Sequence, residues 1–161
     1  MAVWSDVTWK QAVASGRLRC DPWRPEDLTP NGLDLRIGSV LVGDHPAPLT
    51  AGKVTVPPMA RFVVGTAEVV SLPDDAAGSL WVRSSYARRG VLASFGKVDA
   101  GFSGNLTVAA FHSGSQALEL AVGDRFCQLV LEDLTTAAEL PYAKRSGTYQ
   151  NQRGITLGRP T

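Results

Sequence analysis

The sequence has few of the residues that build metal sites or cross-linked frameworks. It holds two cysteines, Cys20 and Cys127, and two histidines in 161 residues. The cysteines have neither CxxC spacing nor a histidine cluster, so neither a zinc site nor a disulfide framework is supported. They read as buried thiols of a cytosolic protein. Charge of one sign is also missing: 16 Lys and Arg stand against 15 Asp and Glu, a net charge of +1. A general nucleic-acid binder carries a basic excess, so no nucleic-acid partner is expected. Long hydrophobic runs are absent too. The opening MAVWSDVTWKQAV brings in Asp6 early and reads as neither a signal peptide nor a membrane anchor. No internal repeat is visible, and the 16 Gly and 10 Pro are spread along the chain instead of pooled in a linker.

What is present is a globular composition, 44% apolar and 19% charged, at the length of one domain. Residues 1–161 are therefore expected to form a single cytoplasmic domain with an N-terminal helix within 1–16 and a C-terminal arm over 141–161. Ser5 is placed to cap the helix, Trp9 and Val13 recur at i and i+4, and Gly16 is placed to stop it. Beyond it the chain breaks into short β-type runs at 33–37, 39–42, 53–56, 61–64, 67–72, 80–82, 105–111 and 125–131. Gly-Asp, Pro-Pro, Pro-Asp-Asp and Ser-Gly-Ser turns punctuate them. The pattern predicts a mainly β fold, a sandwich, jelly roll or barrel. The arm is polar, basic and without period, and its composition suits a segment ordered by a ligand.

Four segments hold chemistry-bearing side chains between glycines. In NGLDLRIG, Asp34 and Arg36 alternate with apolar residues and share one strand face, which by itself reads as a surface ion pair on an edge strand. In VRSSYARRG, Arg83, Arg88 and Arg89 surround Ser84 and Ser85. Guanidinium groups bind phosphate in bidentate fashion, hydroxyls complete an anion cradle, and a helical turn over 84–89 would add a favourable dipole. In KVDAGFSG, Asp99 sits in a turn whose Gly101 and Gly104 permit close approach of a ligand. In YAKRSGTYQNQRG, two tyrosines and three cations suit a lid over a base and a polyphosphate. Together they suggest a nucleotide site.

The order NGLDLRIGS, VRSSYARRGV, VDAGFSGNLTV, GDRFCQLVLEDL and YAKRSGTYQNQRG resembles the dCTP deaminase branch of the deoxyuridine triphosphatase (dUTPase) superfamily over nearly the whole chain. The opening SGRL followed by CDPWRPEDLTPNGLDLR resembles that branch as well. The resemblance implies a dUTPase-like distorted β-barrel or jelly roll, a homotrimer with sites at subunit interfaces, and Mg2+ bound through the triphosphate with no direct protein ligand. It places Arg83, Ser84, Ser85 and Arg88 on the triphosphate and the reacting base. It places Asp99 on the sugar and on the attacking water, with Gly101 and Phe102 beside the deoxyribose. Tyr142, Lys144, Arg145, Tyr149 and Gln152 belong to the closing arm, and Asp34 takes a supporting role.

Three departures qualify this likeness. Where the deaminases carry the glutamate that exchanges protons with the cytosine amine, this sequence has Ala109. A methyl group moves no proton, and such acid–base groups contribute about 10²–10⁴-fold. His112, three residues along, faces the other side of a strand. Thr148 replaces a polyphosphate-binding lysine, and Val82 a glycine. The expected activity is hydrolysis of dUTP to dUMP and pyrophosphate, with Asp99, Ser84 and Arg88 catalytic. The alternatives are a dCTP deaminase, including a Glu-to-Ala variant of one, or a non-catalytic nucleotide-binding relative.

Overall fold

A computed structural model describes residues 2–158. Its strands are β1 (Arg19–Asp21), β2 (Leu28–Thr29), β3 (Gly32–Val42), β4 (Lys53–Val56), β5 (Ala60–Thr66), β6 (Val69–Ser71), β7 (Ala76–Val82), β8 (Val91–Ser94), β9 (Lys97–Val98), β10 (Ser103–Gly104), β11 (Thr107–His112), β12 (Leu118–Ala121) and β13 (Arg125–Asp133). Helices are few and short: α1 (Asp6–Ala14), α2 (Ser84–Ala87) and α3 (Tyr142–Arg145). The principal sheet runs β8-β11-β5-β3-β13-β7-β9, with β2 also on β3, and its pairings are all antiparallel. Two small sheets, β1-β6-β10 and β4-β12, flank it. The mainly β expectation holds, as a curled half-barrel.

Local sequence explains several elements directly. Ser5 caps α1 by accepting from the Thr8 N–H at 3.3 Å, and Gly16 beyond it has φ +76°. The helix buries Trp9 with Ala12; Val13 is only half-buried. Trp9 meets Trp4 edge-on at 6.2 Å. The runs expected at 33–37 and 39–42 are one strand, β3, with a register shift at Gly38. A Cβ there would lie 2.8 Å from the Thr66 carbonyl oxygen, so glycine lets β3 leave β13 and join β5. Strands β1, β2, β8, β9, β10 and β12 were not evident in the sequence. They are short, and LELA of β12 contains good helix formers; pairing with β4 decides its state.

Leu33, Leu35, Ile37, Phe62, Val64, Leu129 and Leu131 fill the sheet's inner face. Phe126 packs edge-on to Phe62 at 6.2 Å and against Tyr86 of α2 at 5.0 Å, which anchors the short helix to the core. Cys20 and Cys127 are buried free thiols, and burial pushes both up to about 12. No helix of the described residues is long and apolar enough to cross a membrane.

Glu68 is a polar exception in this interior, 2% exposed. Its Oε2 accepts from the Arg36 N–H at 2.9 Å, while Oε1 is buried without a partner. Burial raises this carboxyl above its ordinary value, and the Arg36 N–H offsets only part of that. The folded chain thus keeps a proton that the unfolded chain releases near the ordinary value. The associated stability is full below that pH and is lost as pH rises through the raised folded value. Glu68→Gln is expected to flatten this decline between acid and neutral pH. Urea midpoints of both proteins across that range measure it, and parallel pH profiles would contradict it.

Candidate active site

Strands β5 and β11 form the floor of a cavity of about 490 Å³. Along β11, Val108, Ala110 and His112 are buried in the core, whereas Thr107, Ala109 and Phe111 face the other way and are half-buried. His112 accordingly points away from Ala109, with Nε2 2.6 Å from the Gln116 carbonyl oxygen. Across the strand pair Ala109 lies opposite Val63, and Thr107 opposite Gly65. Thr107, Ala109 and Val63 line the cavity, and so do Asp99, Phe102, Tyr142, Tyr149 and Gln152. Asp99 is exposed at the turn after β9 and is the only carboxylate-bearing residue lining the cavity among those described.

The C-terminal segment forms the roof. Tyr142 donates its N–H to the Ala100 carbonyl at 2.9 Å, and its ring meets Phe102 nearly perpendicular at 5.5 Å. The Tyr142 hydroxyl accepts from the Tyr149 N–H at 3.0 Å. Further along, the Asn151 N–H donates to Ser103, the Gln152 amide to the Asn105 carbonyl, and the Thr156 N–H to the Thr107 hydroxyl. The arm expected to await a ligand is therefore docked on the chain's own acidic turn; residues 159–161 lie outside the described part. The role of Gly101 changes with it. At φ +78°, a Cβ on Gly101 would sit 2.5 Å from Cβ of Pro141, so this glycine makes room for the arm.

The segment expected to cradle phosphate lies elsewhere. Ser84 and Ser85 open α2, Arg83 precedes it and Arg88 ends it, forming the helical turn the sequence suggested. Arg83, Ser84, Ser85 and Arg88 do not line the cavity. Lys144, Arg145 and Thr148 are exposed on the arm and do not line it either. Val82 ends β7 and is half-buried.

The edge-strand reading of Asp34 and Arg36 is overturned. Strand β3 is interior, and each residue has a different partner. Arg36 grips the buried Asp27 through two nitrogens, at 2.7 and 2.8 Å. Asp34, 4% exposed, pairs with Arg83 Nε at 3.0 Å, and Arg125 Nη1 stands 3.9 Å from the same oxygen. Burial raises the Asp34 carboxyl, with Arg83 and Arg125 pulling it down. The first motif thus buttresses the first arginine of the second. Arg61, Lys97, Leu157 and the Asp34–Arg83 link were missed in the sequence. The one available signal was the alternation in ARFVVGT, which sets Arg61 and Val63 on one face.

Known proteins match this arrangement in sequence and in fold. The dCTP deaminase-like family model matches residues 41–134. The dCTP deaminase of Thermococcus kodakarensis is 38% identical over 141 residues, 86% of this chain and 89% of that protein. That of Thermococcus gammatolerans is 39% identical over 141 residues, 86% and 88%. Among solved structures, 2'-deoxycytidine 5'-triphosphate deaminase from Agrobacterium tumefaciens gives a TM-score of 0.70 at 18% identity over 81% of this chain. This chain spans about half of that one, 48%. A mutant dUTPase from phage phi11 of S. aureus, described with a structural Mg(II) ion, gives 0.56 at 20% identity, covering 75% of this chain and 93% of that one. At such identities the structures establish a shared dUTPase-like fold, while the family model and the Thermococcus relatives establish descent: the chain belongs to the dCTP deaminase-like family.

Proposed function

We propose that the protein hydrolyses dUTP to dUMP and pyrophosphate. One observation carries the reading: among the described residues Asp99 is the only carboxylate lining the cavity, and residue 109 on its floor is alanine. Deamination needs a group that takes a proton from water and delivers it to the departing amine. Hydrolysis needs an oriented water and stabilised charge on the leaving pyrophosphate. Asp99 orients a water in line with the scissile phosphoanhydride, and Arg83 and Arg88 stabilise charge on the leaving group, with Ser84 donating to a phosphate oxygen. Asp34 holds Arg83 for this task.

Because the cradle does not line the cavity of its own chain, the reading includes a homotrimer in which a second copy supplies it. Among the described residues no group of three or more His, Cys, Asp or Glu could hold a metal. In this reading magnesium would be held by the triphosphate and would neutralise phosphate charge there. A second reading, dCTP deamination, is favoured by the names of the Thermococcus relatives. Ion-exchange analysis of products after incubation with Mg2+ and either nucleotide separates the two. Conversion of dUTP to dUMP with dCTP untouched is expected; formation of dUTP from dCTP with no cleavage of dUTP would overturn the hydrolase reading.

A further inference from the structure

Among the described residues two cations line the cavity, Lys97 and Arg61. Lys97 is paired with Glu132. Arg61 is exposed and has no ion-pair partner among the described residues. It is the second residue of β5, opposite Phe111, just as Val63 is opposite Ala109. Opposed residues of an antiparallel pair share a face, and a diagonal neighbour is within reach of a long side chain. Phe62 and Val64 turn into the core, which leaves Arg61 on the cavity side with Ala109.

A guanidinium donates five N–H bonds and accepts none. It favours a ligand edge that presents an acceptor and opposes one that presents an amino group, because two donors face to face leave both unpaired. At ring position 4, uracil carries an oxygen acceptor and cytosine an amino donor. A carboxylate at residue 109 would neutralise Arg61 and accept from an amino group; the methyl of Ala109 does neither. We propose that Arg61, left uncompensated beside Ala109, is the specificity-determining residue that selects a 4-oxo-pyrimidine nucleotide over the 4-amino one. The assignment rests on the proposed pyrimidine nucleotide site, not on which bond of the nucleotide is broken.

The test is calorimetric binding of the α,β-imido analogues of dUTP and dCTP, with Mg2+, to the parent, Arg61→Gln and Arg61→Glu. The parent is expected to prefer the uridine analogue by about 10- to 100-fold, the range of one charge-assisted hydrogen bond. Glutamine both donates and accepts, so its ratio should fall toward one. Glutamate only accepts, so its preference should invert. An unchanged ratio in both variants overturns the proposal. Equal weakening for both analogues also overturns it, by assigning Arg61 to the phosphates. Arg61→Lys keeps the charge on a different donor geometry and should lose part of the preference; full retention would reduce the effect to charge alone and count against base reading. If the parent prefers the uridine analogue yet cleaves no dUTP, hydrolysis fails and this assignment stands. Turnover of dUTP without base preference does the reverse.

Discussion

Asp99→Asn is expected to lower dUTP cleavage by about 10²–10⁴-fold while nucleotide binding stays measurable. Asn keeps the size and one oxygen of Asp99 but cannot accept the proton of an attacking water. The residue is exposed at a turn, with no ion pair among the described residues, so its replacement removes no buried interaction. Single-turnover release of dUMP, set beside calorimetric binding, separates chemistry from affinity. Unchanged turnover would remove Asp99 from the mechanism, and loss of binding would make it a substrate anchor.

Ala109→Glu is expected to create deamination of dCTP, at about 10²-fold or more over the parent. The new carboxylate would stand on the cavity floor, diagonal to Arg61 on β5. A guanidinium at that range favours the ionised carboxylate, the form that takes a proton from water. Residue 109 is half-buried on a strand whose other face forms the core, so the longer side chain extends into the cavity instead of the packed interior. Chromatographic appearance of dUTP or dUMP from dCTP is the readout. A folded but inert variant would mean that other residues of the pocket have also departed from deamination.

The parts legible from sequence are those governed by local backbone geometry. Ser5 caps α1 with its side chain, Gly16 follows its end at a positive φ, and α2 forms where SSYA follows Arg83. Alternation along TVAAFH put Ala109 and His112 on opposite faces, and the structure keeps them there. The edge-strand reading of Asp34 and Arg36 failed because alternation assigns a face without saying what lies across it. Asp34 meets Arg83, 49 positions away, since β13 pairs with β3 on one side and β7 on the other, which brings the start of α2 over the first motif.

By itself, then, the sequence determined the β class, the family, the faces of individual strands and the residue types available for chemistry. A period of two and the turn residues act within a few positions, and ordered motifs are read along the chain. Only the tertiary structure decided that Arg61 stands beside Ala109, that the arm docks on residues 100–107, and that Arg83, Ser84 and Arg88 lie apart from the cavity. Each of these depends on which distant strands pair. That choice is made by burying Leu33, Phe62, Phe126 and Leu129 together, an energy shared across the whole core and carried by no single stretch of sequence.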